Sequence, residues 1–231
     1  MTAMSVPKRS YRGISAQQRR DDRRQQLLEA GLDLLGTQGW RQTTMTAVCS
    51  RAGLTERYFY ESFSDRDALL LAVLDRIASQ IRDVALHALA TTDGDPHRKA
   101  TAAISAFVDL LTSDPRIGRV AMLESAAADP LRTRRHELLR EFAQLIARQA
   151  HALHGADALS APHDQIAGLL LTGGLAELLM AWLAGELPVS RQDIIEVAAT
   201  QFAAATRRNP TSTPHTTALL ASSSEGPTRD G

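Results

Sequence analysis

Arg57 and Glu56 lie side by side where the spacing predicts two short helices and a turn, and both could read base-pair edges. A guanidinium can fork onto the O6 and N7 acceptors of guanine, and a carboxylate can accept from the amino group of cytosine. The alternative use of the same charges is an ion pair between Arg57 and Glu61, one helical turn apart on a solvated surface. No arrangement for covalent chemistry accompanies them. The sequence holds no glycine-rich phosphate loop, no Cys-x-x-Cys, no Gly-x-Ser-x-Gly and no His-Glu-x-x-His, so no catalytic residue and no cofactor is expected. His151 and His154 fall three apart on one expected helix but lack an acidic or cysteine ligand nearby in sequence, so no metal is expected there. Cys49, the sole cysteine, can form no disulfide within the chain; it reads as a small packed hydrophobe in a reducing, cytoplasmic setting, with no secretory segment before the first motif.

The elements that would hold Arg57 outward follow from caps and periodicity. Thr44 suits the N-cap of a helix reaching about Arg51, Ala52-Gly53-Leu54 is a tight turn, and Thr55 caps a second short helix ending near Ser62. That is a helix-turn-helix, in which the second helix enters a major groove and the first braces it. Ala47, Val48, Ala52, Leu54, Phe59 and Phe63 would fix the crossing angle. A helix from about Arg23 to Gln38 precedes the motif, with Leu28, Leu32 and Leu35 on one face and Gly39 as its stop. A long helix capped by Ser64 or Asp65 follows, striped by Leu70, Leu74, Ile77, Ile81 and Val84. Five further helices are marked by Ala100 to Leu111, Ile117 to Glu124, Leu138 to Leu153, Pro162 to about Gly185, and Ser190 to Ala205. No strand-like alternation occurs, and the fold class is all-α.

Composition agrees. The 231 residues are 44% apolar but only 4% aromatic, with much Ala and Leu, which favours helix over strand. The formal net charge is zero, yet residues 1–24 carry seven cations against Asp21 and Asp22, a net of +5 that leaves −5 for the rest. A basic head on an acidic body suits an anionic partner for the head, or a solvated tail. Ile166 to Leu187 is apolar enough to raise the question of a membrane span. Glu177 and the interruptions at Gly168, Gly173 and Gly174 point instead to a helix buried in protein. The domain layout is therefore a basic disordered arm (1–22), a helix-turn-helix domain (23–68), a helical domain (69–208) and a disordered Thr/Ser/Pro/Gly-rich tail (209–231).

The stretch from Gly39-Trp40 through Thr44, the Ala52-Gly53-Leu54 turn, Tyr60, Phe63 and Arg66 to Leu69 resembles the DNA-binding domain of the TetR family, over residues 24–75. The resemblance implies an N-terminal three-helix DNA-binding head and a C-terminal helical domain for effector binding and dimerisation. It also implies contacts: Thr44 and Tyr60 on backbone phosphates, with a thymine methyl as a second contact for Tyr60, Thr46, Glu56 and Arg57 toward base edges, with Thr55 beside them, and Arg66 on a phosphate. Glu56 departs from the polar or basic residues, and Arg57 from the small residue, common at those positions.

Function then reads as a ligand-responsive repressor that binds double-stranded palindromic operator DNA as a homodimer. A TetR-type activator and a helical enzyme are the alternatives. Dimerisation is expected through the last two helices, with Gly173, Ala176, Met180 and Ala184 as a small-residue stripe, unless that stripe packs within the chain. Helices apolar on several faces must be surrounded or must line a cavity, as at Leu169-Leu170-Leu171. A small apolar effector is expected there. Phe107, Phe142 and Trp182 serve as core or lining, and Glu124, Gln149 and Glu177 are candidates either to orient a head group or to be neutralised structurally by Arg119, Arg148 or the helix ends. The long fourth helix would carry the signal by tilting.

Overall fold

The structure is a computed structural model describing residues 15–208. The helices are α1 (Ala16–Gln38), α2 (Met45–Ala52), α3 (Glu56–Tyr60), α4 (Arg66–Thr91), α5 (Pro96–Ser113), α6 (Pro115–Gly118), α7 (Ser125–Ala127), α8 (Asp129–His154), α9 (His163–Leu183) and α10 (Arg191–Ala205). A π-helical segment, Arg119–Glu124, joins α6 to α7. No strand forms among the described residues beyond an isolated bridge between Ala158 and Arg207.

Local chemistry sets the boundaries. Thr44 accepts from the Ala47 N–H at the start of α2, and Asp65 accepts from Ala68 at the start of α4. Those bonds hold the Asp65 carboxyl below its usual range. Ser190 and Asp193 form a reciprocal capping box on α10. Thr55 occupies the N-cap position of α3 but makes no side-chain cap bond.

The start of α1 corrects the expected arm. The sequence predicts disorder through residue 22, yet helix begins at Ala16. Ser15 accepts from the Gln18 N–H, while Gln17 donates to Asp21 and Gln18 to Asp22, each four residues on. These bonds support a polar turn that carries no apolar stripe. The rest of the expected arm and all of the expected tail lie outside the described residues.

Leu27, Leu28, Leu35, Val48, Phe59, Phe63 and Leu69 are buried and bind α1, α2, α3 and the first turn of α4 into a head. α4 runs without a break from the head into the body, where it packs on α5 and α8. Asp75 meets Arg134 at 2.7 Å and Arg82 meets Glu141 at 3.4 Å, so α4 and α8 run in parallel, away from the head.

α9 departs from expectation. It was expected to be enclosed by protein, but within the chain only Gly168, Thr172, Ala176 and Leu179 are buried, and Ile166, Leu169 and Leu170 are exposed. The expected small-residue stripe divides: Ala176 is buried and Met180 packs on the core, whereas a Cβ at Gly173 would meet nothing within 4 Å. Gly168 is required for a different reason, since a Cβ there would lie 2.5 Å from the Ala143 carbonyl oxygen of α8. Backbone cannot yield as a side-chain tip can, so Gly168→Ala is expected to cost about 1–3 kcal/mol by overpacking. Thermal unfolding reads this directly, and an unchanged midpoint would show that α8 and α9 separate freely.

Candidate nucleic-acid interface and effector cavity

The head turns one side of α3 to solvent. Phe59 is buried, while Thr55, Glu56, Arg57 and Tyr60 are exposed, as are Thr44 and Thr46 on α2. Gly53, with φ +65°, lets the chain reverse between the helices, and the Leu54 N–H donates to the Cys49 carbonyl at 3.0 Å across the turn. Tyr60 is 58% exposed, with its ring edge-on to Phe59 at 5.7 Å. An aromatic side chain left in water at a helix end is free to meet a phosphate or a base face.

Arg57 takes up the ion pair foreseen as its alternative, 3.4 Å from Glu61, with its side chain still 85% exposed. Such a pair contributes little in water and gives way to a stronger acceptor. Glu61 also holds Arg23 at 3.1 Å, and the Arg23 guanidinium lies 4.4 Å over the Tyr58 ring. Arg24 stacks on Phe63 at 4.6 Å. Two cations counted in the basic first 24 residues thus fix α1 against α3, a role the sequence did not reveal because each partner lies more than thirty residues away. Arg66 pairs with Asp67 at 2.9 Å and lies 5.8 Å over Trp40.

Two side-chain clusters join head to body. In one, Arg116 at the start of α6 meets Asp114 at 2.7 Å, Glu29 at 3.1 Å and Asp33 at 3.3 Å. This holds the Asp114 carboxyl below its usual range and raises the Arg116 guanidinium. In the other, Glu124 at the end of the π-helical segment is buried; one oxygen accepts from the Trp40 backbone N–H at 3.0 Å and the other from Arg119 at 3.1 Å. Glu124, expected among the ligand-orienting groups, is thus spent on the head. The π turn allows both uses of this short segment: Ala121, Met122 and Ser125 line the cavity while Glu124 reaches Trp40.

The cavity itself has a volume of about 210 Å³, enclosed by α4, α5, the π-helical segment, α8, α9 and α10. Of the six expected ligand residues, it brings together Phe107, Phe142 and Gln149. Glu177 and Trp182 are not among the lining residues. α9 presents Thr172, Leu175 and Ala176 to the cavity, so Glu177 falls on the exposed side, and the Trp182 indole N–H donates to the Val189 carbonyl at 3.1 Å. The walls are almost wholly apolar, and all three lining hydroxyls are engaged: Ser125, Thr172 and Thr206 each donate to a carbonyl one turn back. His154 sits 3.1 Å from Thr206, and burial pushes its imidazole below the usual histidine range, with Arg207 acting in the same sense. His151 faces Asp164 instead of joining His154.

Arg135 on α8 also lines the cavity and was missed. A signal existed: it stands in helical register with Leu139, Phe142, Ile146, Gln149 and Leu153, at alternating steps of four and three.

Comparison with known proteins reaches the same architecture. The family model described as "Bacterial regulatory proteins, tetR family" matches residues 27–73. The transcriptional activator FasR of Mycolicibacterium smegmatis is 32% identical over 111 residues, covering 48% of this chain and 50% of that protein. The chain thus spans about half the length of the first of these curated relatives. The transcriptional regulator BetI of Burkholderia lata is 30% identical over 168 residues, covering 68% of this chain and 84% of that protein. Among solved structures, FadR of Bacillus subtilis in complex with stearoyl-CoA superposes with a TM-score of 0.62 at 15% identity, covering 79% of this chain and 97% of that one. A TetR family transcription regulator from Marinobacter aquaeolei gives 0.57 at 18% identity, covering 84% and 100%. The Burkholderia alignment carries the likeness from the helix-turn-helix into the helical body, and with it the chain belongs to the TetR family of bacterial regulatory proteins.

Proposed function

We propose that the chain is a ligand-responsive transcriptional repressor that binds a palindromic operator as a homodimer in the cytoplasm. The observation that carries this reading is the exposed face of α3, where Arg57 and Tyr60 stand in water beside Thr44 and Thr46 while Phe59 anchors the helix from behind. Thr46, Glu56 and Arg57 read base edges; Thr44, Tyr60 and Arg66 hold phosphates, and Thr55 stands beside them. Because phosphate contacts carry no sequence information, the two groups of residues separate by experiment. Arg57→Ala is expected to cost about 1–3 kcal/mol and to relax preference at one base pair, whereas Tyr60→Ala weakens binding to all sequences alike. Gel shifts against the DNA flanking the gene, compared with scrambled duplexes, measure both, and a Tyr60→Ala protein that binds as tightly as its parent removes the phosphate role.

The apolar face of α9, with Ile166, Leu169 and Leu170 exposed, supports dimerisation through α9 and α10, where Val197 is also exposed. Two-fold pairing would set two copies of α3 about 34–36 Å apart, one turn of DNA. The cavity supports control by a small apolar effector; a thermal-shift screen of apolar compounds followed by operator binding tests it, since linkage requires a coupled ligand to alter DNA affinity. Activation instead of repression is a second reading, favoured by the 32% identity to FasR, an activator by name. A reporter under the bound promoter, with and without the protein, separates the two.

A further inference from the structure

We infer that the cavity selects a slender amphiphile with an anionic head, and that Arg135 receives that head at the end of the cavity nearest the DNA-binding domain. The inference rests on the reading of the cavity as the effector site and names the chemical class it takes.

Shape comes first. The lining follows α4 from Leu74 to Leu89 and α8 from Arg135 to His154, about five turns of helix. A volume of about 210 Å³ spread over that length leaves a narrow slot, below the roughly 300–1,000 Å³ of pockets for drug-sized molecules. A single extended chain suits such a slot better than a fused ring system.

Charge comes second. Three arginines lie close together near the start of α8. Arg132 pairs with Asp129, and Arg134 pairs with Asp75, Glu137 and Glu141. Arg135 is the one that lines the cavity, and no ion pair is recorded for it among the described residues. A half-buried arginine at the head-proximal end of an apolar slot, with no carboxylate paired to it among the described residues, leaves its charge to be met by water alone, and a carboxylate or sulfate entering beside it supplies a counter-charge. No other lining residue competes for this role. His154 is kept neutral near pH 7 by its burial, and it lies at the far end with Thr206. Gln149 carries no charge and stands about 21 Å farther along α8 at 1.5 Å per residue. The slot therefore has a polarity: anion at Arg135, level with Leu74, Met122 and Ser125, and tail toward Leu89 and Phe202.

The test uses three probes of one chain length: decanoate, decanol and decyltrimethylammonium, titrated calorimetrically into the full-length protein below their micelle concentrations. Decanoate is expected to bind about tenfold or more tightly than decanol, the worth of one charge-assisted hydrogen bond, with the ammonium weakest. Arg135→Gln should erase the preference of decanoate over decanol while leaving decanol affinity in place, and Arg135→Lys should restore part of it. Circular dichroism of each variant verifies folding. Equal binding of decanoate and decanol by the parent protein overturns the inference and leaves the cavity reading standing, as does a preference that survives in Arg135→Gln. Failure of all three probes to bind overturns both.

Discussion

Leu170→Arg is expected to convert the protein to a monomer and to weaken operator binding by two orders of magnitude or more. Leu170 is 70% exposed, so its side chain gives the isolated chain almost nothing, and helical content should be unchanged. Ile166, Leu170, Gly173 and Glu177 recur at steps of four, three and four, which puts them on one face of α9, away from buried Thr172, Ala176 and Leu179. In a two-fold interface every substitution acts twice. Two leucines lose about 1.5–3 kcal/mol each of burial, and two arginines are brought close to the same axis. Losing the dimer removes the second half-site from reach, and with it the gain in effective concentration on which tight operator binding depends. Sedimentation velocity at micromolar concentration and gel shifts supply the two readouts. Leu170→Met, which keeps the apolar surface, should remain a dimer. A Leu170→Arg protein that sediments as a dimer places the interface elsewhere.

Much of the fold was legible in the sequence because it is written in local chemistry. Thr44, Asp65 and Ser190 cap helices through bonds to residues only three positions on. The helix-turn-helix announces itself through Gly53, whose left-handed conformation any side chain would strain. The start of α1 was not legible, since Gln17, Gln18, Arg19 and Arg20 present no apolar period and the turn is supported by polar pairs instead. The candidate site divides the same way. Phe107, Phe142 and Gln149 do line the cavity, on helices whose apolar periodicity marks a wall. For Glu124 the structural alternative, neutralisation by Arg119, is the one the structure takes; its second partner was not legible, because Trp40 is 84 residues away and a π turn, which sequence does not signal, sets the direction of the carboxylate. Glu177 was misjudged by a single step, Ala176 being buried and Glu177 exposed. Arg135 was overlooked because most arginines of α8 stand in water, and its register with Leu139, Phe142 and Ile146, the one signal that sets it apart, is easily passed over for a charged residue.

The joint at Glu124 leads to the second large effect, and it bears on how a ligand would reach the DNA. Two routes leave the cavity. One is α4, whose Leu74, Ile77 and Ala78 line the slot and whose Leu69 and Val73 press within 3.2 Å of where a Cβ on Gly31 of α1 would lie. The other is the π-helical segment, where Met122 and Ser125 line the slot on either side of Glu124, which grips the Trp40 N–H. A ligand that displaces Met122 must move Glu124, because a single residue separates them, whereas α4 can tilt only as a rigid rod packed along its length. The second route is therefore expected to carry most of any coupling, ahead of the tilt of α4. Glu124→Ala is expected to lower stability by about 1–3 kcal/mol, since the Trp40 N–H and the Arg119 guanidinium lose their buried acceptor. In the same variant, the factor by which a ligand from the thermal-shift screen weakens operator binding, about 5–150-fold for a coupling of typical size, should fall toward one while the ligand still binds. Glu124→Gln, which keeps an oxygen for Trp40 but gives up the charge facing Arg119, should lie between. If Glu124→Ala retains the full ligand response, the signal passes through α4 alone and the buried carboxylate only fastens the head to the body.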